Sequence, residues 1–390
     1  MNQPEHLLQP DPCATDPEPA QAVALRPTLL CLSHLRWGFV YQRPQHVMSR
    51  LAHDYDVLFF EEPLFEDTPV PWLESCRGAD GVTVLVPRLP HGLDEAGINA
   101  ALRALLDTRL AQQGARELLL WYITPMSLAF TRHLQGRVVI FDCMDELSAF
   151  KNAPAALLDM ERELLARADV VFTGGYSLWE AKREHHGNVH PMPSSVDVAH
   201  FGKAREVLPE PADQAGIGRP RLGFFGVIDE RFDIDLVREL AAQRPHWQIV
   251  LLGPVVKIDP DTLPRAANLH YLGARQYDEL PAYLSGWDVA LMPFALNEST
   301  RFISPTKTPE YLAGGCPVVS TPIRDVITGY GASGVVSIAD SPQAFIEAIQ
   351  AALDDKDDPQ AFVRRADQAL DGMSWDKTCA AMKEQIECHR

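Results

Sequence analysis

Short runs of apolar residues recur along the first half of the chain, and each ends in a polar or glycine-containing loop. These runs cover residues 28–33, 56–60, 82–86, 117–122, 137–141 and 170–173. Between them, apolar residues recur at helical spacing near 45–53, 99–113 and 155–168. Short apolar runs of this kind are typical of buried parallel strands. Their alternation with helices predicts a doubly wound α/β domain.

The pattern breaks at residues 192–220, where prolines, glycines and charges are crowded without a sustained period, as in an interdomain linker. After it, apolar runs return at residues 221–226, 248–253, 269–273, 289–292 and 317–320. We therefore expect two Rossmann-like α/β domains, at 27–191 and 221–373, joined by the linker 192–220. A final helix is predicted within residues 374–390.

Composition limits the classes of function. The chain has 390 residues, 46% of them hydrophobic, which is enough for two cores of ordinary size. A net charge of −18 argues against broad nucleic-acid binding and weakens docking to an anionic membrane. Residues 1–26 are rich in Pro, Asp, Glu and Gln and lack the basic start and apolar core of a signal peptide. They are predicted to be a disordered leader.

Cysteine usage and hydropathy predict a reduced, cytoplasmic protein. The seven cysteines are scattered, and neither a CxxC pair nor a Cys/His cluster has metal-ligand spacing. The acidic tripeptides at 54–56 and 233–235 are better explained as decoration of helix or strand edges, so we expect no metal site. No run of about 18 apolar residues is present, so no transmembrane helix is predicted.

The segment SPTKTPEYLAGGCPVVST, residues 304–321, carries the strongest chemical signal. It predicts a polar turn, a short helix that opens near Glu310, a stop at Gly314-Gly315 and then a strand. Backbone N–H groups at a helix start attract phosphate, and Lys307 adds a positive charge beside them, so the segment predicts a phosphate site. Pro309 disfavours a helix through Lys307, so we expect that lysine on the approach loop. The alternative is an ordinary capped βα unit.

Three more loops at the carboxyl ends of predicted strands could contact the same ligand. Gly226 ends the run GFFG, and Arg231 follows it closely. Gly253 ends VLLG and Gly273 ends HYLG, where a base could stack against the loop ARQY. A glycine at such a position lets backbone approach a phosphate. The alternative for each is a tight turn with solvated neighbours.

In the first domain, two features could carry acid–base chemistry. Asp142 and Asp145 directly follow the strand RVVIF, and clustered carboxylates there are costly without a cationic or substrate partner. Either could act as a general base or could bind sugar hydroxyls. His46 lies at a predicted helix start and is the reserve base. Helix capping by the aspartates is the alternative.

The stretch SPTKTPEYLAGGCPVVSTPI resembles the nucleotide-sugar signature of GT-B glycosyltransferases, in the family 1 and family 4-like group. CLSHLRW, FVYQRPQHVMSRLA, FDCMDELSAF and HYLGARQYDELPAYLSGWDVALMPF resemble a bacterial branch linked to cell-surface polysaccharides. The resemblance covers residues 28–388. It implies two Rossmann-like domains facing a cleft, with the C-terminal helix crossing back to the first domain.

The resemblance also implies roles for residues. The second domain would bind the donor, with Glu310 on the ribose, Ser304, Thr306 and Lys307 near the phosphates and the loop after Gly273 near the base. The acceptor would lie on the first domain. Many relatives carry an acid eight positions before the glutamate, whereas this chain has Phe302 there. That departure leaves the sugar and the anomeric outcome open.

We therefore expect a metal-independent transferase that moves a sugar from a nucleoside-diphosphate sugar to a hydroxyl. A UDP-sugar is the first candidate for the donor. The donor is a co-substrate, and no cofactor is expected. The acceptor would be a carbohydrate or a lipid-linked sugar, with the inner face of the membrane as an alternative location. If the enzyme inverts, Asp145 or Asp142 is the base; if it retains configuration, the departing phosphate takes the proton. The rival interpretations are a silent scaffold subunit of the same fold and a nucleotide-sugar epimerase.

Overall fold

In the computed structural model, which describes residues 26–114, 116–355 and 359–390, the chain folds around two sheets. The predicted leader lies outside the described residues except for Arg26. Each apolar run of the sequence forms a strand, and most of these strands are buried because helices cover both faces of the sheet. This confirms the predicted α/β class with two parallel sheets.

The first sheet has nine strands in the order β3-β5-β2-β1-β6-β7-β8-β9, with β4 paired antiparallel to β5 and all other pairs parallel. Its strands are β1 (Thr28–Leu32), β2 (Asp56–Phe60), β3 (Leu64–Glu66), β4 (Trp72–Arg77), β5 (Thr83–Pro90), β6 (Leu118–Tyr122), β7 (Val138–Cys143), β8 (Val170–Thr173) and β9 (Val189–Pro191). The α-helices that follow these strands are α1 (Arg43–Leu51), α2 (Glu95–Gln112), α3 (Leu128–Thr131), α4 (Leu157–Arg167) and α5 (Tyr176–Lys182).

Two short helices lie in the stretch predicted as a linker, α6 (Val198–Gly202) and α7 (Ala212–Ala215). Phe201 and Gln214 are buried in them. Phe201 joins the core of the second half of the chain. These short helices were not predicted, because prolines and glycines interrupt the apolar period of this stretch.

The second sheet is wholly parallel, with six strands in the order β12-β11-β10-β13-β14-β15. Its strands are β10 (Arg221–Phe225), β11 (Gln248–Leu252), β12 (Leu269–Gly273), β13 (Val289–Met292), β14 (Val318–Ser320) and β15 (Val336–Ile338). The remaining α-helices are α8 (Ile234–Gln243), α9 (Leu280–Leu284), α10 (Lys307–Ala313), α11 (Arg324–Tyr330), α12 (Pro342–Asp354), α13 (Pro359–Ala369) and α14 (Trp375–Glu387).

The last helix, α14, crosses back to the first sheet, as predicted. Ser374 caps it by accepting a hydrogen bond from the backbone N–H of Lys377. Trp375, Cys379 and Met382 are buried in the core beneath the first sheet. Burial of this apolar face stabilises the contact between the end of the chain and its beginning.

Candidate functional site

A cleft of about 1220 Å³ of empty space lies between the carboxyl edges of the two sheets. Both halves of the chain line it. From the predicted site residues it brings together Asp145, Gly226, Arg231, Gly253, Ser304, Thr306, Lys307 and Glu310. Asp142, His46 and Gly273 are not among its lining residues.

Helix α10 presents the most distinctive of these residues to the cleft. It begins at Lys307 after Thr306, so the prediction that Lys307 lies on an approach loop was wrong. Pro309 is accommodated because the N–H groups of the first helical turn have no partner inside the helix. The helix ends at Ala313, and Gly315 has φ +77°, as the predicted glycine stop requires.

Gly226 makes room for the Lys307 side chain. Its φ is +144°, and a Cβ atom built there would lie 2.0 Å from Cε of Lys307. Gly253 supports the same loop, because a Cβ atom on it would lie 1.8 Å from the carbonyl oxygen of Gly226. The two glycines after neighbouring strands therefore let backbone and lysine meet at the edge of the sheet.

Lys307 and Glu310 are titratable side chains one helical turn apart that lack an ion pair in the described chain. Among the described residues, neither side chain has a hydrogen bond or a carboxylate–amine contact within 4.0 Å. Burial lowers the pKa of Lys307, although the Glu310 carboxylate opposes this shift. Burial raises the pKa of Glu310 to about 8, and Lys307 opposes that shift in turn. An anion placed at Lys307 would stabilise its charged form.

Arg231 also faces the cleft, but its charge is already paired. Its Nη2 lies 2.7 Å from Oδ2 of Asp229, and its Nε donates to both oxygens of that carboxylate. Its guanidinium lies over the ring of Phe150, 5.4 Å from the centroid, which brings a first-domain side chain to the second domain. Arg231 is thus a fixed cation with spare donors at the mouth of the cleft.

The two candidate aspartates of the first domain differ in accessibility. Asp142 is 1% exposed, and Arg43 grips its oxygens through Nε and Nη2 at 2.7–3.1 Å. Asp145 instead lines the cleft and has no ion pair among the described residues. Burial raises the pKa of Asp145, although Arg231 opposes the shift. Of the two, Asp145 is the carboxylate that a ligand can reach.

His46 lies in an aromatic cluster behind the cleft. Its ring stacks on Trp375 with centroids 4.5 Å apart, and Tyr41 and Tyr277 contact it edge-on. It is 2% exposed, and burial lowers its pKa to about 3. The histidine therefore joins the first domain, the second domain and α14, and it does not reach the cleft as the reserve base would have to.

The loop after β12 approaches the cleft through residues beyond its glycine. Gly273 has φ +75° and turns the chain so that Ala274, Arg275 and Tyr277 line the cleft. The ring of Tyr277 is sandwiched by His200 at 4.2 Å and Tyr41 at 4.6 Å. Both of its faces are occupied, so a base cannot stack on Tyr277 in this arrangement.

Several cleft residues were missed by the sequence reasoning. Phe39 and Tyr41 reach the cleft from the loop before α1, and Ser194 reaches it from the predicted linker. In the sequence, only their positions could have indicated a role, since Phe39 and Tyr41 follow a strand and Ser194 lies between the domains. Phe302, where relatives carry an acid, is partly buried against the first-domain core and is not a cleft-lining residue.

Two further features of the described chain bear on its chemistry. Within residues 26–114, 116–355 and 359–390, no group of three or more His, Cys, Asp or Glu side chains is placed to hold a metal ion. In the same part of the chain, no helix is long and apolar enough to cross a membrane.

Comparison with known families agrees with this architecture. Residues 219–355, which contain β10 to β15 and the cleft-lining helix α10, match the family described as Glycosyl transferases group 1. The Bacillus subtilis (strain 168) protein TuaH, described as a teichuronic acid biosynthesis glycosyltransferase, is 27% identical over 221 residues. That match covers 52% of this chain and 55% of the relative, so it spans about half the length of each.

Solved structures resemble nearly the whole chain. Sucrose-phosphate synthase from Thermosynechococcus elongatus has a TM-score of 0.72 at 15% identity, over 93% of this chain and 99% of its own. Anabaena HepE, solved in complex with UDP and glucose, has a TM-score of 0.64 at 15% identity, over 92% and 99%. At these identities the likeness shows the fold. Residues 219–355 of the chain are therefore similar to the Glycosyl transferases group 1 family, and the chain has the GT-B fold of these structural neighbours.

Proposed function

We propose that the protein transfers a sugar from a nucleoside-diphosphate sugar to an acceptor hydroxyl. The observation that carries this proposal is the unpaired Lys307, held against Gly226 at the start of α10 and one turn from the unpaired Glu310. A diphosphate would supply the negative partner that the Lys307 ammonium lacks. Glu310 would accept hydrogen bonds from the ribose hydroxyls. Ser304 and Thr306, on the same loop, would contact phosphate oxygens.

In this proposal the chain acts by positioning and by neutralising charge. Lys307 and Arg231 would stabilise the negative charge that develops on the leaving diphosphate. In an inverting reaction, Asp145 accepts the proton of the acceptor hydroxyl. In a retaining reaction, the departing phosphate takes that proton. We infer no metal requirement, because these cations would neutralise the leaving group themselves.

The comparisons support finer parts of the proposal. The UDP complex of HepE favours UDP as the donor nucleotide, and the description of TuaH favours a role in cell-surface polysaccharide synthesis. The six cysteines that the structure describes are unpaired, which favours a reducing compartment and hence the cytoplasm. An acceptor at the inner face of the membrane fits the same assignment.

A thermal-shift screen against nucleoside diphosphates and their sugars tests the proposal. Specific binding raises the free energy of unfolding by RT ln(1 + [L]/Kd), about 2.7 kcal/mol at a hundredfold excess over Kd. We expect one nucleotide to stabilise the protein, and Lys307→Met to weaken its affinity at least about tenfold. Lys377→Ala, which removes an exposed lysine on α14, is the control and should bind as wild type does.

Hydrolysis of the bound sugar donor, measured in the same samples, distinguishes an enzyme from a silent scaffold. Slow release of nucleoside diphosphate by the wild type, and slower release by Lys307→Met, is the expected result. The proposal is wrong if no nucleotide or nucleotide sugar stabilises the protein.

A further inference from the structure

Three aromatic side chains of the second domain line the cleft, and they differ in exposure. Phe225 is 4% exposed and Phe294 is 7% exposed, because both belong to the hydrophobic core of that domain. Tyr277, in the loop after β12, is only partly buried. Of these three rings, Tyr277 is therefore the one with surface in the cleft.

Tyr277 lies close to Glu310. After burial, the Glu310 carboxylate is the strongest influence that raises the pKa of Tyr277 above its ordinary range. An electrostatic influence weakens with distance, so the two side chains are neighbours on the same wall of the cleft. In the proposed function Glu310 binds the ribose, and the base is attached to that ribose. A bound base would therefore lie near the Tyr277 ring.

The two faces of the Tyr277 ring are covered by different parts of the chain. On one face, His200 of α6 stacks with its ring centroid at 4.2 Å, and its Nε2 donates a hydrogen bond to the carbonyl oxygen of Tyr277 at 3.0 Å. On the other face, Tyr41 of the first domain stacks at 4.6 Å, with 30° between the ring planes. Among the described residues, no hydrogen bond joins Tyr41 to Tyr277. The Tyr41 contact can therefore be broken without loss of a hydrogen bond between the two tyrosines.

Tyr41 is on the loop between β1 and α1, which is fixed at two points. The backbone N–H groups of Trp37 and Gln42 donate hydrogen bonds to side-chain oxygens at 2.8 and 3.1 Å. Between these points, the N–H groups of Val40 and Tyr41 donate no hydrogen bond within the described chain. Tyr41 is 40% exposed, and a Cβ atom on Gly38 would have no neighbour within 4 Å. The middle of the loop can thus carry Tyr41 away while its ends stay in place.

A base and Tyr41 cannot occupy the same face of Tyr277 together. Stacked aromatic rings have centroids at least about 4.5 Å apart, so a ring inserted between the two tyrosines would need about 9 Å. The observed separation is 4.6 Å. A base that stacks on this face must therefore take the place of Tyr41.

We propose that Tyr41 is an intramolecular competitor of the donor nucleotide. In the free protein it covers the face of Tyr277 beside Glu310, and it leaves that face when a base stacks there. The inference rests on the proposed function and adds a regulation of the same site, because a contact between the two domains is exchanged for a contact with the nucleotide. One aromatic pair changes an equilibrium constant by about two- to tenfold, which sets the expected size of the competition.

The first test removes the competing ring. Calorimetric titration uses the tightest-binding of UDP, ADP and GDP. Tyr41→Ala should bind it about two- to tenfold more tightly than wild type, because no stacked pair has to be broken. Tyr41→Phe keeps the ring and should bind as wild type does. Tyr176→Ala, at a 51% exposed tyrosine on α5 outside the cleft, is the matched control and should also bind as wild type does.

Inorganic pyrophosphate shows whether the effect belongs to the base. It carries two phosphates without a base, so Tyr41 does not compete with it. Wild type and Tyr41→Ala should bind pyrophosphate with affinities within about twofold of each other. A gain for pyrophosphate as large as the gain for the nucleotide would contradict the proposal, because Tyr41 would then oppose the phosphates.

A double-mutant cycle gives the same decision without pyrophosphate. Tyr277→Ala should weaken nucleotide binding by about two- to tenfold, since the base loses its stacking partner. In that background, Tyr41→Ala should change the affinity less than about twofold, because the contested ring face is gone. Tyr277→Leu, which keeps an apolar side chain in the aromatic cluster, replaces Tyr277→Ala if that variant does not fold. A gain from Tyr41→Ala that persists without the Tyr277 ring would overturn the competition.

Titration of the wild type separates this inference from the proposed function. A wild type that binds none of the three nucleotides removes the transferase and the competition with it. Normal nucleotide binding by wild type, with equal or weaker binding by Tyr41→Ala, removes only the competition. Weaker binding would make Tyr41 a part of the nucleotide site.

Discussion

The two walls of the cleft differ in how their charges are arranged. On the first domain, Asp145 lines the cleft, and the carboxylates on either side of it in sequence are paired, Asp142 with Arg43 and Glu146 with Lys182 at 2.6 Å. On the second-domain wall, Arg231 and Arg275 are paired with Asp229 and Asp213, whereas Lys307 and Glu310, at the start of α10, have no ion pair in the described chain.

The difference shows how each wall works. Ion pairs on the first wall fix the loop that carries Asp145, because a buried pair with good geometry holds the backbone at both ends. Glycines on the second wall instead remove side chains, so that Lys307 and backbone can meet a ligand. The first wall presents one carboxylate without an ion pair between paired neighbours, and the second is open to an anion.

The largest expected effect comes from the unpaired carboxylate of the first wall. If Asp145 is the base, Asp145→Asn should lower kcat by about 10²- to 10⁴-fold, because a positioned base contributes that factor. Nucleotide affinity should change less than about threefold. Steady-state transfer rates and a nucleotide titration measure the two quantities. An unchanged kcat would assign proton transfer to the departing phosphate and hence a retaining reaction.

Substitution of Asp142, the paired aspartate, should lower stability more than kcat. Asp142→Asn leaves the Arg43 charge buried without its carboxylate, which should cost about 3 to 5 kcal/mol of unfolding free energy. Urea denaturation measures this loss, and the kcat of the remaining folded protein should stay within about tenfold of wild type. A stable Asp142→Asn protein with no activity would reverse the roles given to the two aspartates.

On the second wall, Gly226→Ala should have an intermediate effect. The added Cβ collides with Lys307, and φ +144° is unfavourable for alanine, so we expect a loss of about 1 to 3 kcal/mol. Nucleotide affinity should fall about tenfold as Lys307 is displaced. Gly216→Ala is the control, because its Cβ has open space and its φ is −83°. Equal effects of the two substitutions would mean that Gly226 has no special role.

The smallest expected effect is a change in pH dependence at Glu310. Its pKa is raised by burial from an ordinary 4.5 to about 8, so the folded state holds a proton that the unfolded state releases. The associated stability is present below pH 4.5 and is lost as pH rises to about 8. Glu310→Gln should therefore lose less stability than wild type between these pH values. If the free energy of unfolding changes equally with pH in wild type and Glu310→Gln, the carboxyl group of Glu310 is solvated in the folded state.

The sequence predicted the central strands of both sheets and most of the second-domain residues that line the cleft. Apolar runs located the central strands, because parallel strands are buried on both faces. The short β3, β4, β9 and β15 were missed, since three to six residues with exposed or mixed positions leave no clear period. The glycine positions and the segment from Ser304 to Glu310 predicted the side of the cleft that carries Lys307.

The first wall could not be predicted in the same way. Asp142 and Asp145 are alike in sequence, and only the contact with Arg43, 99 residues away, distinguishes them. The position of His46 behind the cleft depends on Trp375, which comes from the other end of the chain. Long-range pairs of this kind leave no local pattern.

The most direct test of the account compares a nucleoside diphosphate with its monophosphate, using the base preferred in the thermal-shift screen. Calorimetric titration of wild type should give at least about tenfold tighter binding of the diphosphate, because the second phosphate reaches Lys307. Lys307→Met should bind both nucleotides with nearly equal affinity. The same preference for the diphosphate in both proteins would contradict the assignment of Lys307 to the diphosphate.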